Sequence, residues 1–351
     1  MINEYRLTQF SSGAGCGCKI ASKELEIILH RENSHNQFAG LLAGYESRDD
    51  AAVYDIGNGN AVVSTTDFFT PIVDNARDFG RIAATNAISD VYAMGALPLM
   101  AIAILGWPLD KLPAELAREV VAGAHEACAS AKIPLAGGHS VNIATPIFGL
   151  AVTGMARCEQ VKKNCTARAG CKVFLTKPLG IGLVTTAEKR GVVNPEDAAE
   201  AVRLMTTLNV AGADFAQLSG VCAMTDVTGF GLLGHALEMA EGSGIQMTLE
   251  YRKLPLLAHL ERYVAQGCIP GGTARNWDSY GHKVAIDVAN EDVEKVKTII
   301  CDPQTSGGLL VAVEPNAVKD LQEVAQKTGT PLFELGYFSE RATGDAWVRI
   351  V

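Results

Sequence analysis

The sequence predicts a two-domain protein of the α/β or α+β class. The chain has 351 residues, more than one ordinary hydrophobic core organises, and 48% of them are apolar. Segments typical of strands and of helices alternate in both halves of the chain and are separated by glycine-rich turns. We expect a mobile segment at residues 1–48, a first domain at residues 49–156 and a second domain at residues 157–351.

Composition and charge exclude several classes of protein. The formal net charge of −9, without a basic run, argues against a nucleic-acid-binding groove. The longest apolar run, residues 96–109, is too short to cross a bilayer. The nine cysteines have no regular spacing, and residues 1–10 are polar and charged, which is not typical of a signal peptide. We therefore expect a cytoplasmic protein with reduced thiols and no membrane partner.

Local patterns predict the elements of the first domain. Two alternating runs flank Gly57-Asn58-Gly59-Asn60, which is typical of a β-hairpin. Asp78 is expected to cap a helix that stops at Gly95, and Pro113 is expected to open the next helix. A short strand then leads into Gly137-Gly138-His139-Ser140, which we interpret as a glycine turn that ends the strand.

The second domain also alternates between strands and helices. Residues 172–176 and 221–227 are expected to be strands, and residues 230–241 a helix. Residues 195–218 have the pattern of one long helix, whereas residues 267–282 have that of a long irregular loop.

Near the amino terminus, Ser12-Gly13-Ala14-Gly15-Cys16-Gly17-Cys18-Lys19 combines three kinds of residue that suit a reactive loop. Its glycines permit positive φ angles and a close approach to a ligand. Its two thiols are potential nucleophiles, and the lysine supplies a positive charge that could face a phosphate. The alternative is a flexible turn with incidental cysteines.

Four aspartates stand where catalytic groups are common. Asp50 precedes a strand, Asp67 ends the next strand, Asp90 lies in a helix one turn after Asn86, and Asp226 ends a strand of the second domain. Taken singly, each aspartate is more typical of a helix cap, a turn or a solvent-exposed position than of a functional site. If they converge, each pair at 4 Å repels by about 4 kcal/mol, so the group needs protons or a hard cation. Mg²⁺ takes oxygen ligands and bridges carboxylates to phosphates, which predicts a metal–nucleotide site.

Other motifs suggest phosphate or metal binding less strongly. Successive N–H groups at the glycine turn of residues 137–140 could cradle phosphate oxygens. Gly229-Phe230-Gly231-Leu232-Leu233-Gly234, with Glu250 further on, matches a dinucleotide fingerprint. It lies deep in the second half, however, and Asp226 would repel a bare pyrophosphate. Cys16 and Cys18 could bind zinc, but the sequence has no partner Cys-x-x-Cys or Cys-x-x-His pair.

Together these motifs resemble the selenophosphate synthetase family of the aminoimidazole ribonucleotide synthetase-like superfamily. The matching stretches cover nearly the whole chain: residues 13–19, 48–53, 65–69, 86–90, 136–140, 225–231 and 301–308. The aspartate and glycine motifs are common to the superfamily, whereas Cys16 and Lys19 indicate this member. The resemblance implies two domains, each a mixed sheet packed with helices, and a homodimer with ATP sites partly at the interface.

The resemblance also implies an activity and a set of site residues. The expected reaction is ATP + selenide + water → selenophosphate + AMP + phosphate, with a selenium-delivery protein as a further possible partner. Cys16 and Lys19 match the catalytic positions, and three aspartates match Mg²⁺ ligands: Asp50, Asp90 and Asp226. The positions that match ATP contacts are Lys19, Ser47, Arg48, Asp49, Asp67, Asp90, Gly138, His139 and Ser140.

The chemistry of the residues agrees with this activity. Hydroselenide and the γ-phosphoryl group are both anionic, so cations must screen their encounter. A thiolate beside a lysine has a lowered pKa and is a soft partner for selenium. Three alternatives stay open: an ATP-dependent synthetase or kinase with an oxygen nucleophile, a thiol protein for metal binding or redox interaction, and a nicotinamide enzyme.

Overall fold

The structure is a computed structural model that describes residues 5–11, 13, 15–20, 22–29, 38–44 and 48–351. It contains two mixed β-sheets packed with helices, which confirms the expected fold class. The first half contributes three helices: α1 (Ser22–Leu29), α2 (Ala76–Ala93) and α3 (Ala114–Ser130). Its strands are β1 (Leu41–Ala43), β2 (Ala52–Gly57), β3 (Asn60–Phe69), β4 (Leu97–Trp107), β5 (Leu135–Asn142) and β6 (Ile147–Arg157).

The first sheet has the strand order β1-β2-β3-β6-β4-β5. Only the β4–β5 pair is parallel among its described strands. The predicted hairpin forms between β2 and β3, with Asn58 at φ 55° and Gly59 at φ 71°, as a two-residue turn with left-handed central residues requires. Helices α2 and α3 pack together, and α2 also packs on β3 and β6.

Two local predictions for the first domain are wrong. Asn75, not Asp78, caps α2: the Asn75 side chain accepts the Asp78 N–H at 2.9 Å, so Asp78 lies in the first turn. The stretch of residues 137–140 does not end a strand but runs through β5, paired with β4. The extended backbone is possible there because Gly138, at φ 158°, lacks a Cβ that would lie 2.2 Å from the Ala103 carbonyl oxygen.

The second sheet has the order β10-β13-β9-β12-β7-β11-β8. Its strands are β7 (Lys172–Leu175), β8 (Val221–Asp226), β9 (Gln246–Leu249), β10 (Val284–Ile286), β11 (Leu309–Val313), β12 (Phe333–Ser339) and β13 (Val348–Ile350). Its helices are α4 (Ile181–Lys189), α5 (Pro195–Met205), α6 (Ala211–Phe215), α7 (Gly231–Ser243), α8 (Leu260–Ala265), α9 (Gly271–Tyr280), α10 (Val293–Ile300) and α11 (Val318–Thr328).

Two predictions for the second half are wrong for reasons of packing and side-chain bonding. The expected single helix over residues 195–218 is two helices, because the segment between α5 and α6 carries the buried Asn209, which bonds to α2 instead of continuing the helix. The expected loop over residues 267–282 contains α9, which buries Asn276 and Tyr280 despite its low apolar content.

The hydrophobic core joins the two halves. Buried side chains of α4, α5 and α8 belong to the same cluster as α2, α3 and the first sheet. Ala93, the last residue of α2, packs with β8 and β11 of the second sheet. Helix α2 therefore packs on β3 and β6 of the first sheet and against β8 and β11 of the second, and it holds the two sheets in place relative to each other. Within the described residues, every helix is too short or too polar to traverse a lipid bilayer.

Candidate active site

Four aspartates from both halves form a group that we call the aspartate cluster: Asp50, Asp67, Asp90 and Asp226. Burial, and next the charges of Asp226 and Asp90, raise the pKa of Asp50 well above its ordinary value. Burial, followed by the charges of Asp226 and Asp67, likewise raises the pKa of Asp90. Burial raises the pKa of Asp226 to about 6. The carboxylates are therefore close enough to oppose each other's ionisation.

Hydroxyl groups hold three of these carboxylates in place. Thr225 Oγ1 donates to Asp50 Oδ1 at 2.7 Å, and Thr65 Oγ1 donates to Asp90 Oδ2 at 2.5 Å. Ser89 Oγ donates to Asp226 Oδ2, also at 2.5 Å. Each hydroxyl occupies one carboxylate oxygen and leaves the other available. Asp50 Oδ2 is buried and has no hydrogen-bond partner among the described residues.

Two of the bonds that orient the cluster cross between the two halves. Ser89 lies on α2 and Asp226 at the end of β8, and Thr225 of β8 bonds to Asp50 ahead of β2. Asn86 donates from Nδ2 to Asp67 Oδ2 at 2.8 Å. The positions of Asp50 and Asp226 therefore depend on contacts between the two halves of the chain. The cluster alone does not form a complete metal site. Within the described chain, no three acidic, histidine or cysteine side chains are close enough to hold one metal ion by themselves.

Residues 15–20, which we call the cysteine loop, approach this cluster. The Gly15 N–H donates to the Thr70 carbonyl at 3.1 Å, and the segment Gly15–Cys18 forms a 3-10 turn. Lys19 Nζ lies 3.4 Å from Asp67 Oδ2. The backbone of Cys16 lies in the turn, whereas its side chain is outside what the structure describes.

Two further predicted ATP contacts lie beside the cluster. Asp49 Oδ1 accepts the Asn164 N–H at 2.9 Å, and Asn164 Nδ2 donates to the Arg48 carbonyl at 2.7 Å. Arg48 is exposed, at φ 55°, and its guanidinium lies 4.0 Å from Glu241 Oε2 on α7. These contacts anchor the segment immediately before Asp50 to the segment between β6 and β7, which contains Asn164. Ser47 lies outside the described residues.

Gly138, His139 and Ser140 lie elsewhere in this chain. They are exposed on β5, at the edge of the first sheet, and two strands separate β5 from the strand that carries Asp67. One chain therefore does not bring these residues into its own aspartate cluster. Our interpretation of this segment as a turn that cradles phosphate beside the aspartates is wrong for a single chain, because the segment is an extended edge strand.

Sequence reasoning missed several polar residues of the site. Asn209 Nδ2 donates both to Ser89 Oγ at 2.8 Å and to the Gly307 carbonyl at 2.9 Å, which braces the hydroxyl on Asp226. Lys177 is buried and donates from Nζ to the Thr207 carbonyl at 2.6 Å and to the Ser306 carbonyl at 2.8 Å. Burial lowers the pKa of Lys177 to about 7. No spacing pattern marks these residues, because their partners are distant in sequence.

Comparison with known proteins defines the family. The model of the family described as "AIR synthase related protein, N-terminal domain" matches residues 48–156, and that of the corresponding C-terminal domain matches residues 168–349. A selenide, water dikinase of Photorhabdus laumondii is 56% identical over 350 residues, covering 100% of this chain and 99% of that protein. The chain belongs to the selenide, water dikinase family. This confirms the resemblance drawn from the motifs, and the family makes the chain an enzyme of the kinase class.

Other selenide, water dikinases are equally similar. The one from Cronobacter sakazakii is 58% identical, with 98% of each chain covered, and the one from Escherichia coli K12 is 56% identical, with 99% of each covered. Among solved structures, a thiamine-monophosphate kinase complexed with AMPPCP and TMP has a TM-score of 0.65 at 18% identity, covering 93% of this chain and 91% of that one. The hydrogenase maturation protein HypE in complex with ATP also has a TM-score of 0.65, at 17% identity, covering 98% and 94%. These structures share the fold of the selenide, water dikinase chain.

Proposed function

We propose that the chain converts ATP, selenide and water into selenophosphate, AMP and phosphate, and that the aspartate cluster and the cysteine loop form its active site. The observation that carries the proposal is the convergence of buried, hydroxyl-held carboxylates from both domains with Lys19. Such a group suits the triphosphate of a nucleotide bound through divalent ions, with a loop that covers it.

The donor atoms fit Mg²⁺, which we propose as the cofactor. Asp50, Asp90 and Asp226 offer only oxygen, the ligand type that this hard cation prefers. Their mutual repulsion is relieved by a bound cation, and the buried Asp50 Oδ2 has no competing hydrogen bond among the described residues. Because no three of the described side chains hold one ion by themselves, each ion would take its remaining ligands from water and phosphate oxygens. Bound Mg²⁺ would neutralise charge on the β- and γ-phosphates.

The chain's own residues would then divide the work. We propose that Arg48 and Asp49, together with Ser47 and Asp67, position ATP, and that Lys19 screens the charge between selenide and the γ-phosphoryl group. Selenium forms a bond to the γ-phosphorus as the bond from that phosphorus to the β-phosphate oxygen breaks, releasing ADP. Water then cleaves ADP to AMP and phosphate. Cys16 would receive or hold selenium beside the phosphate rather than attack phosphorus.

We also propose that the enzyme acts as a homodimer. One face of the first sheet exposes large apolar side chains on β4 and β5: Leu97 at 61%, and Leu99, Met100, Ile102 and Val141 at about half. A contiguous apolar surface of this kind is typical of a subunit interface. Pairing there would cover the edge strand with Gly138, His139 and Ser140 and would allow these residues to contact ATP in the partner's site.

The expected setting of the reaction follows from its thiols. The described cysteines outside the cysteine loop are all unpaired, which supports a reducing cytoplasm. Hydroselenide is reactive and scarce, so a selenium-delivery protein is a fitting partner. The reaction at the aspartate cluster would be the same with free selenide as with selenium from a delivery protein.

Phosphorus NMR of MgATP, with and without selenide under reducing anaerobic conditions, tests the proposed function. We expect AMP, phosphate and a new phosphorus signal coupled to selenium. The variant Cys16→Ser should bind MgATP but form no selenophosphate. AMP or ADP formation without the selenium-coupled signal would indicate a kinase with an oxygen nucleophile, and no nucleotide turnover together with tight zinc binding would indicate a thiol metal protein.

A further inference from the structure

A small cavity lies where the cysteine loop meets the second domain. The loop forms one wall through Gly17 and Lys19, the turn after Asp226 forms another through Gly229 and Phe230, and α9 forms the third through Gly272 and Arg275. The volume is about 210 Å³ including the mouth, and the interior has room for about one water-sized group. The cavity therefore borders the aspartate cluster without being part of it.

The charge of the walls favours an anion. Arg275 Nη2 donates to the Gly17 carbonyl at 2.7 Å, which holds the guanidinium at the cavity while its other N–H groups remain available to it. Lys19 adds a second positive charge. Its Nζ lies 3.4 Å from Asp67 Oδ2, so it lies between the cavity and the aspartate cluster. None of the described residues that line the cavity is acidic.

The small size of the cavity selects among anions. Apart from the two cations, the lining is glycine backbone, apolar side chains and Asn276, whose two amide N–H groups already donate to backbone carbonyls. The walls are also closely packed: a Cβ on Gly272 would lie 2.6 Å from Pro303 Cγ. A tetrahedral oxyanion does not fit, whereas a single soft heavy atom with one proton needs only a slight outward movement of the loop.

We infer that this cavity is the binding subsite for the hydroselenide anion, with Arg275 as the cation that determines affinity for it. The inference rests on the proposed function, since it concerns the substrate of the same site. An anion held here lies against the loop segment that contains Cys16 and, through Lys19, next to the aspartate cluster. Arg275 thus acts on the substrate directly and also fixes the loop that encloses it.

Steady-state kinetics of the full-length enzyme test the subsite, with selenide and ATP varied separately under anaerobic conditions. The variant Arg275→Met should raise the KM for selenide about 10-fold, as expected for the loss of one charge-assisted hydrogen bond, and leave the KM for ATP within about twofold. Arg275→Lys should recover part of the loss. Arg252→Met is the matched control, because this exposed arginine of the same domain pairs with Glu291 away from the cavity.

A second measurement does not need turnover. Hydrosulfide, an anion of the same class, should raise the thermal unfolding midpoint of the native protein and of Arg252→Met, but not that of Arg275→Met, by circular dichroism. An unchanged KM for selenide in Arg275→Met, an equal rise in both KM values, or the same hydrosulfide shift in all variants would overturn the subsite. Failure of the native enzyme to form selenophosphate would instead overturn the proposed function.

Discussion

The aspartate cluster and the cysteine loop face each other, but they are held by different kinds of interaction. In the cluster, buried side chains bond to buried side chains, as Ser89 does to Asp226. In the loop and the residues before it, side chains such as Lys19 and Thr8 also pair with carboxylates, but several of the bonds have a backbone group as one partner. The Gly15 N–H bonds to the Thr70 carbonyl, Arg275 bonds to the Gly17 carbonyl, and Lys189 Nζ donates to the Ser11 carbonyl at 2.9 Å.

We expect this difference to mean that the charges of the aspartate cluster are held in fixed positions, whereas the cysteine loop can open and close over them. Partly exposed hydrogen bonds contribute about 1 kcal/mol each, so a few of them allow opening and closing at little cost. The bond from Ser89 to Asp226 is buried and joins α2 to β8, so it lies in the packed interior rather than at the surface. Substitutions in the cluster should therefore change the chemical step, whereas substitutions around the loop should change closure and leave nucleotide binding intact.

The largest effect is expected from Asp226→Asn. The amide keeps the acceptor for Ser89 but removes the negative charge, so selenophosphate formation should fall by about 100-fold or more. Because Asp226 is buried among other carboxylates, the same variant should have a higher midpoint of chemical unfolding in the absence of divalent cations. Initial rates and urea unfolding check both effects. Asp214→Asn, an exposed position on α6, should change neither; activity above one tenth in Asp226→Asn would contradict a ligand role.

A smaller effect is expected from Gly15→Ala in the cysteine loop. Gly15 has φ 52°, and a Cβ would lie 2.5 Å from Ile72 Cδ1 and 2.6 Å from Thr305 Oγ1, so the loop should undock. The rate should fall about 10-fold, whereas the Kd for MgATP, measured by titration calorimetry, should stay the same. Gly170→Ala is the matched control, since Gly170 has φ 90° with no atom within 4 Å of the added Cβ. A parallel loss of MgATP affinity would mean that the loop is part of the nucleotide site.

The effect of pH on the thermal stability gained with Mg²⁺ tests whether Mg²⁺ binds at the aspartate cluster. The folded-state pKa of Asp226, about 6, lies above its ordinary value of 3.8, so the unfolded chain loses its proton first as pH rises. Without cations, Asp226 therefore lowers the free energy of unfolding by a growing amount as pH rises from about 4 to 6. A cation competes with that proton, so the rise in melting temperature with Mg²⁺ should be larger at pH 7.5 than at pH 5.5. An equal rise at both pH values would place Mg²⁺ away from these carboxylates.

The smallest effect is expected from Lys189→Met, which removes the contact with the Ser11 carbonyl. Amide hydrogen exchange in residues 5–20 should become faster, and the catalytic rate should fall by about twofold, because one partly exposed bond is lost. Exchange in β8, which carries Asp226, should not change. Lys319→Met, at an exposed position of α11, serves as the control. Unchanged exchange in residues 5–20 would show that Lys189 does not anchor this segment.

Sequence patterns that involve only neighbouring residues predicted the local structure correctly in two places. The Asn58-Gly59 turn formed because both residues tolerate positive φ, and Asn86 and Asp90 share a buried face of α2 because they are four residues apart. The same reasoning failed at α9, whose polar sequence is helical because it packs on α7. It also failed at β5, where Gly138 serves close strand pairing rather than a turn.

By itself, the sequence determined the two mixed α/β halves, the family and the residues able to carry charge to a nucleotide, because periodicity, turn chemistry and motif spacing are properties of neighbouring residues. Only the tertiary structure decided which of these residues meet. The hydroxyl that orients Asp226 comes from Ser89, the brace from Asn209, and the cation at the loop from Arg275. Those contacts join residues far apart in sequence, and the first two form because α2, which carries Ser89, packs against both sheets.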